Sequence, residues 1–297
     1  MTDQSTPETV APTLLPEGAR DPSVWHLALR NKSVLWGSIL LVAIILAAVI
    51  GPFVTLDPVS LNPMNRLKPP GEAGFFGTDQ LGRDVFSRVV NGARVSLIVG
   101  LAVASIAVAI GLFLGLIAGY IRIMDAVIMR VMDGLMSIPA ILLAIAMISL
   151  SGATLTTVVA AIVIPEIPRV VRLVRSVVLT VREEPYVEAA ISAGTPTPLI
   201  MSRHVLPNTI APLIVQATYI CGSAMLTEAI LGFLGAGIPP EIPSWGNIMS
   251  EGRTFFQLTP WIIFFPGICL AVTVLAVNIV GDGLRDTLDP RIARNMR

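Results

Sequence analysis

The sequence predicts an all-α polytopic membrane protein with six transmembrane helices, and three observations carry that expectation. Of the 297 residues, 54 % are apolar and 13 % charged, and the mean hydropathy is +0.78, too oily for an ordinary soluble domain. The apolar residues are also grouped. Charge-free runs cover 33–56 (24 residues), 95–121 (27), 134–165 (32) and 254–281 (28), and a further run at 204–240 is interrupted only by Glu228. About 20 apolar residues cross a bilayer core, so three runs fit one helix each. The third observation is the placement of charge. With the N-terminus inside, 14 of the 20 Lys and Arg residues fall on the cytoplasmic side, as the positive-inside rule requires.

Taken in order, residues 1–32 are rich in Pro, Thr, Ser and Glu and read as a disordered cytoplasmic tail. The spans are expected at 34–56, 95–119, 127–149, 153–174, 209–234 and 260–281. The first is too long for a signal-peptide core and reads as retained. The 32-residue run is too long for one helix and too short for two; splitting it at Ser151-Gly152 lets each half borrow flanking residues, with Arg130, Asp133, Arg169 and Arg172 expected near the interface. Between the first two spans lies a Pro-rich outer segment. It leads into a stretch whose Val85, Phe86, Val89 and Val90 share one helical face, with Arg83, Ser87, Arg88 and Asn91 on the other. Such an amphipathic helix is expected to lie in the headgroup region, so 33–93 forms one unit: a span, an outer segment and an interfacial helix. The unit 94–283 holds the other five spans, and 284–297 is a cytoplasmic tail. Gly111, Gly115 and Gly119 allow close helix packing in lipid. Arg130 and Asp133 are spaced to pair on one helix. Trp25, Trp36, Trp245 and Trp261 fall near span ends, as interface anchors do.

The loop between the fourth and fifth spans departs from the oily pattern. It reads Glu188-Ala189-Ala190-Ile191-Ser192-Ala193-Gly194, then nine residues, then His204-Val205-Leu206-Pro207. Pro185 suits the first turn of a short helix, and Gly194 suits its end, where positive φ is needed. A second short helix is expected from Pro198 to Leu206, closed by Pro207. Small alanines beside one carboxylate make a slim helix able to enter a partner's groove; the plain alternative is a mere linker.

Glu228 is the carboxylate read as lying well inside a predicted span. Its burial in lipid would cost at least about 2.5–3.5 kcal/mol, so it faces either a translocation path or a polar group of a neighbouring helix. Nothing points to a cofactor or a metal. His26 and His204 stand alone, and Cys221 and Cys269 sit at apolar mid-span positions. No basic patch with interleaved aromatics points to nucleic acid. Neither of the two lysines, Lys32 and Lys68, belongs to a G-x-x-x-x-G-K-[ST] phosphate loop, so any ATP driving this protein is bound by another subunit.

Several segments together resemble one family, the second permease subunit of dipeptide, oligopeptide and nickel ABC importers. Gly77-Thr78-Asp79, Gly82-Arg83-Asp84, Ser87-Arg88 and Gly92-Ala93-Arg94-Val95-Ser96-Leu97 are similar to its block before the second span. The 182–208 loop resembles its EAA loop through Glu188, Ala189, Ala190, Gly194 and His204-Val205-Leu206-Pro207-Asn208. Leu231-Gly232-Phe233-Leu234-Gly235, Pro243-Ser244-Trp245-Gly246, Gly281-Asp282-Gly283-Leu284-Arg285-Asp286 and Leu288-Asp289-Pro290 are similar to its C-terminal third. His204 replaces the apolar residue of the general pattern, and Pro196 and Pro198 are additional to it. The resemblance implies a type I ABC importer transmembrane domain over 94–283 with one extra N-terminal span, in a bacterial inner membrane. It implies a paralogous permease, one or two ATPase subunits and an extracytoplasmic substrate-binding protein as partners, with membrane lipid around them. It also implies that Glu188, Ala189, Ala190, Gly194 and Pro207 belong to an ATPase-coupling site, and that the chain itself is no enzyme. Peptide is the expected substrate, since no His or Cys cluster favours a metal. The competing readings are an ion-coupled secondary transporter, which needs ionisable midplane sites, and a membrane scaffold without transport.

Overall fold

In a computed structural model of the protein, residues 32–288 are described; the tails expected at 1–31 and 289–297 lie outside the described residues. The described residues are mostly helical; the longest exception is the segment 55–84, which holds a single 3-10 turn, Pro63–Asn65. Its helices are α1 Lys32–Val54, α2 Val85–Tyr120, α3 Arg122–Met136, α4 Ala140–Ser151, α5 Leu155–Val181, α6 Pro185–Ser192, α7 Thr197–Ile200, α8 Leu206–Phe233, α9 Trp245–Arg253 and α10 Trp261–Leu288. A π-turn, Met201–Val205, joins α7 to α8.

The bundle is built around α2, α5 and α8. The most extensive pair is α2 with α5, and small residues make it possible. Gly111, Gly115 and Gly119 meet Val170, Val174 and Val178 in turn, with a constant offset of 59 residues, so the two helices run parallel. In lipid, where apolar side chains gain little by leaving their surroundings, such close backbone approach drives association. α8 runs antiparallel to α2, with Cys221 and Met225 against Gly100. Val99, Val103, Ala107, Val158, Ala224 and Met225 fill the space between. α1 packs at the edge, on α2 and α10.

Among the described residues, four helical stretches are long and apolar enough to cross a membrane: α1, α2, the continuous stretch Thr197–Phe233, and Trp261–Thr287 of α10. A fifth appears if α3 and α4, bent by 86°, count as one broken span. That bend falls inside the predicted span 127–149, where Pro139 supplies no N–H to the ladder and the helix breaks between Met136 and Ala140. The predicted span 153–174 falls on α5, which carries Glu166, Arg169 and Arg172 and is not apolar enough to count among these stretches.

Four further expectations are corrected. The interfacial helix does not exist as a separate element: Val85 to Tyr120 is one unbroken helix of 36 residues. Its polar face needs no headgroups because protein covers it. Arg83 bonds Asp79 (2.6 Å) and Arg88 bonds Asp79 (2.8 Å) and Glu251 (3.0 Å), Arg83 also bonds Glu251, and Ser87 bonds the Leu56 carbonyl. Pro207 does not close a short helix before the fifth span. The helix runs on from Thr197 to Phe233, because the preceding turn widens to π and makes room for a ring that would crowd the carbonyl four residues back. Asp133 pairs with Arg172 of α5 at 2.6 Å, rather than with Arg130. Trp245 is no interface anchor: it is buried and its indole N–H donates to the Val89 carbonyl at 3.0 Å.

Candidate functional site

The 182–208 loop folds as two short helical arms. Pro185 opens α6, whose first turn holds Glu188, where a carboxylate meets the positive end of the helix dipole. The arm ends at Gly194, which takes φ +77; its N–H bonds the Ile191 carbonyl at 2.9 Å and the Thr195 N–H bonds the Ala190 carbonyl at 3.0 Å. Those bonds cap carbonyls that the helix end leaves free. The two added prolines start the second arm, with Pro196 as its N-cap and Pro198 in its first turn, positions that need no N–H.

The loop is seated, not floating. Val187, Ile200 and Val205 are buried in the same apolar cluster as the spans, and the Asn208 side-chain amide donates to the Tyr186 hydroxyl at 3.3 Å. Arg182 bonds the Gly119 carbonyl at the end of α2, and Arg175 and Arg172 tie α5 to Asp125 and Asp133 of α3. Its other face is open. Glu188, Ala189, Gly194 and Pro207 are exposed and Ala190 half-buried, beside the exposed apolar side chains of Tyr186, Ile191 and Leu199. A rigid arm with one face anchored in the spans and a small-residue, partly apolar face outside can pass displacement between a docked body and the helices.

Glu228 lies apart from this loop. It is 0 % exposed, and Ser96 donates to its Oε2 at 3.2 Å, while Oε1 has no partner among the described residues. In this structure the carboxylate is enclosed between α8 and α2. The sequence reading passed over a second mid-span carboxylate, Glu166, which is buried and pairs with Arg169 at 3.1 Å. The signal was present: a Glu and an Arg three residues apart, flanked by Pro165 and Pro168, inside the predicted span 153–174.

Comparison with known proteins places the chain. Residues 84–294 match the family described as binding-protein-dependent transport system inner membrane component, and residues 23–70 match the N-terminal transmembrane domain of oligopeptide transport permease C. Over 272 residues the chain is 54 % identical to a probable peptide ABC transporter permease protein, y4tQ, of Sinorhizobium fredii, covering 92 % of this chain and 94 % of that one. It is 42 % identical over 299 residues to the dipeptide transport system permease protein DppC of Alkalihalophilus pseudofirmus, covering 96 % and 98 %. With the oligopeptide transport system permease protein OppC of Bacillus subtilis it shares 36 % over 278 residues, covering 92 % and 91 %. The chain belongs to the family of binding-protein-dependent inner-membrane transport components. It is thus a multi-pass permease subunit of an ABC importer, not an enzyme, and ATP is hydrolysed by a separate subunit of the system.

Proposed function

We propose that this chain is the membrane-spanning permease of an ATP-driven importer for di- or oligopeptides, forming half of the translocation path beside a paralogous permease. One or two ATPases dock on the 182–208 loop, a substrate-binding protein delivers solute from outside, and lipid surrounds α1. In this reading the fold is the type I importer arrangement with one extra N-terminal span. Six spans cross the membrane, α5 included, and both termini are cytoplasmic. Solute moves as the two permeases alternate between outward and inward openings, gated by ATP binding and hydrolysis.

The observation that carries the docking reading is the seated arm α6. Buried Val187 fixes it to the bundle, while Glu188, Ala189 and Gly194 face outward next to Tyr186 and Ile191. The names of the relatives support peptide as the solute.

The test is a mild-detergent pull-down of the tagged chain, followed by peptide uptake in proteoliposomes. A paralogous permease and an ATPase should be recovered with the parent chain, and Gly194→Asp should lose the ATPase. A Cβ at Gly194 would meet nothing within 4 Å, but the φ of +77 strains any side chain there, least for Asp and Asn, so the membrane level of Gly194→Asp is measured alongside and must match the parent. Recovery of the folded chain alone would sink the reading, as would full peptide uptake by Glu188→Ala and Gly194→Asp with the ATPase still bound.

A further inference from the structure

Among the long helices of the described residues, α5 alone falls short of the apolarity of a candidate span. The register of α5 on α2 sets the depth of its charges. The offset of 59 residues that pairs Val170 with Gly111 brings Glu166 level with Ala107, at the middle of the apolar stretch 95–119. At that depth Ser223 of α8 donates to Glu166 Oε1 at 3.5 Å, and Arg169 Nη1 lies 3.1 and 3.2 Å from the two carboxylate oxygens.

The two members of the pair differ in what they face. The Glu166 side chain is 9 % exposed and that of Arg169 45 %. Arg169 Nε and Nη2 make no hydrogen bond among the described residues, so most of the guanidinium's donors are offered outward. Turned to lipid at mid-bilayer, such a group costs at least about 2.5–3.5 kcal/mol, so this face borders water or another polar surface. The adjoining helix agrees. Gln216, Tyr219, Ser223 and Thr227 recur on α8 every three or four residues and form one polar stripe. Toward the coupling loop the stripe opens into a 220 Å³ cavity between α8 and α10, lined in part by Gln216, Tyr219, Asn278, Asp282 and Arg285.

We infer that this stripe of α5 and α8 lines the route of the solute, and that Arg169, held by Glu166, contacts an anionic group on it, which for a peptide is a carboxylate. The inference rests on the permease reading. Glu166 serves the contact by competing for the same guanidinium. A passing carboxylate is then held by exchangeable hydrogen bonds and not trapped, as a conducting site requires.

The experiment uses the complete importer in proteoliposomes, with its binding protein and ATP, and with Cys221 and Cys269 replaced by Ala. Arg169→Cys and Ser223→Cys should each react with a membrane-impermeant charged thiol reagent, and peptide turnover should slow the reaction at position 223, where Arg169 is still in place. Ile45→Cys, on the exposed apolar face of α1, should not react. Absence of labelling at both 169 and 223, or labelling at 223 that peptide turnover leaves unchanged, overturns the inference. Charge is read separately: Arg169→Gln should lower peptide uptake about tenfold, and Arg169→Lys, which keeps the charge but loses the planar fork, should lose less. No loss in Arg169→Gln, or equal losses in both, overturns the carboxylate contact. A parent complex that hydrolyses ATP yet imports no peptide refutes the proposed function itself, and is thereby told apart from a failure at Arg169.

Discussion

A Cβ placed on Gly115 would lie 2.6 Å from Val174 Cβ and 3.0 Å from the Val171 carbonyl oxygen. Neither atom is the free end of a flexible side chain, so any larger residue must push α2 and α5 apart. Gly115→Leu is expected to cost about 1–3 kcal/mol, read as a lower melting temperature in detergent, whereas Gly134→Ala, with nothing within 4 Å, should not lower it. The outer ion cluster makes a sharper demand. Arg88 is 1 % exposed and bonds both Asp79 and Glu251. Arg88→Met would leave two carboxylates to share Arg83, at a cost of about 3–5 kcal/mol. Because the cluster is buried, the loss should persist when salt is raised. A melting temperature equal to the parent's would show that water reaches these groups.

At the scale of elements, the join between α7 and α8 is the part whose geometry bears on coupling. The π-turn Met201–Val205 holds an extra residue in the turn before Pro207, which rotates α7 and the chain ahead of it about the axis of α8. Pro207→Ala removes the reason for that widening. A regular α-helix there would turn Thr197 to Val205 around the helix, against the packing of Ile200 and Val205. The expected outcome is fewer peptides imported per ATP hydrolysed, with the chain still inserted and the ATPase still bound. Measuring uptake and phosphate release on the same proteoliposomes checks it; an unchanged ratio would show that the turn plays no part in transmission.

Across the whole molecule, the six-span topology predicts opposite faces for the two polar segments. The single cysteine of Ser192→Cys, at the end of α6, should react with an impermeant thiol reagent only from the cytoplasmic side. Glu72→Cys, in the segment between α1 and α2, should react only from outside; both are exposed, and Cys221 and Cys269 are replaced in each case. Labelling of both from one side would mean that α5 does not cross, and that the charges at Glu166 and Arg169 lie at a membrane surface.

The sequence by itself determined the membrane class, the positions of the longest apolar helices and the start and stop of α6, because each rests on local chemistry. A run without charge is apolar wherever it folds, and Pro185 and Gly194 start and stop a helix through their own backbone preferences. Tertiary structure decided which way polar residues face. Arg83 and Arg88 look like the wet side of an interfacial helix until Asp79 and Glu251, the latter 163 residues beyond Arg88, are brought against them. Trp245 looks like an anchor until Val89 accepts its N–H. Glu228 and Glu166 are both mid-span carboxylates in the sequence, and only packing seals one against Ser96 and turns the partner of the other toward an open face. These are contacts between residues far apart in the chain, so no local pattern carries them.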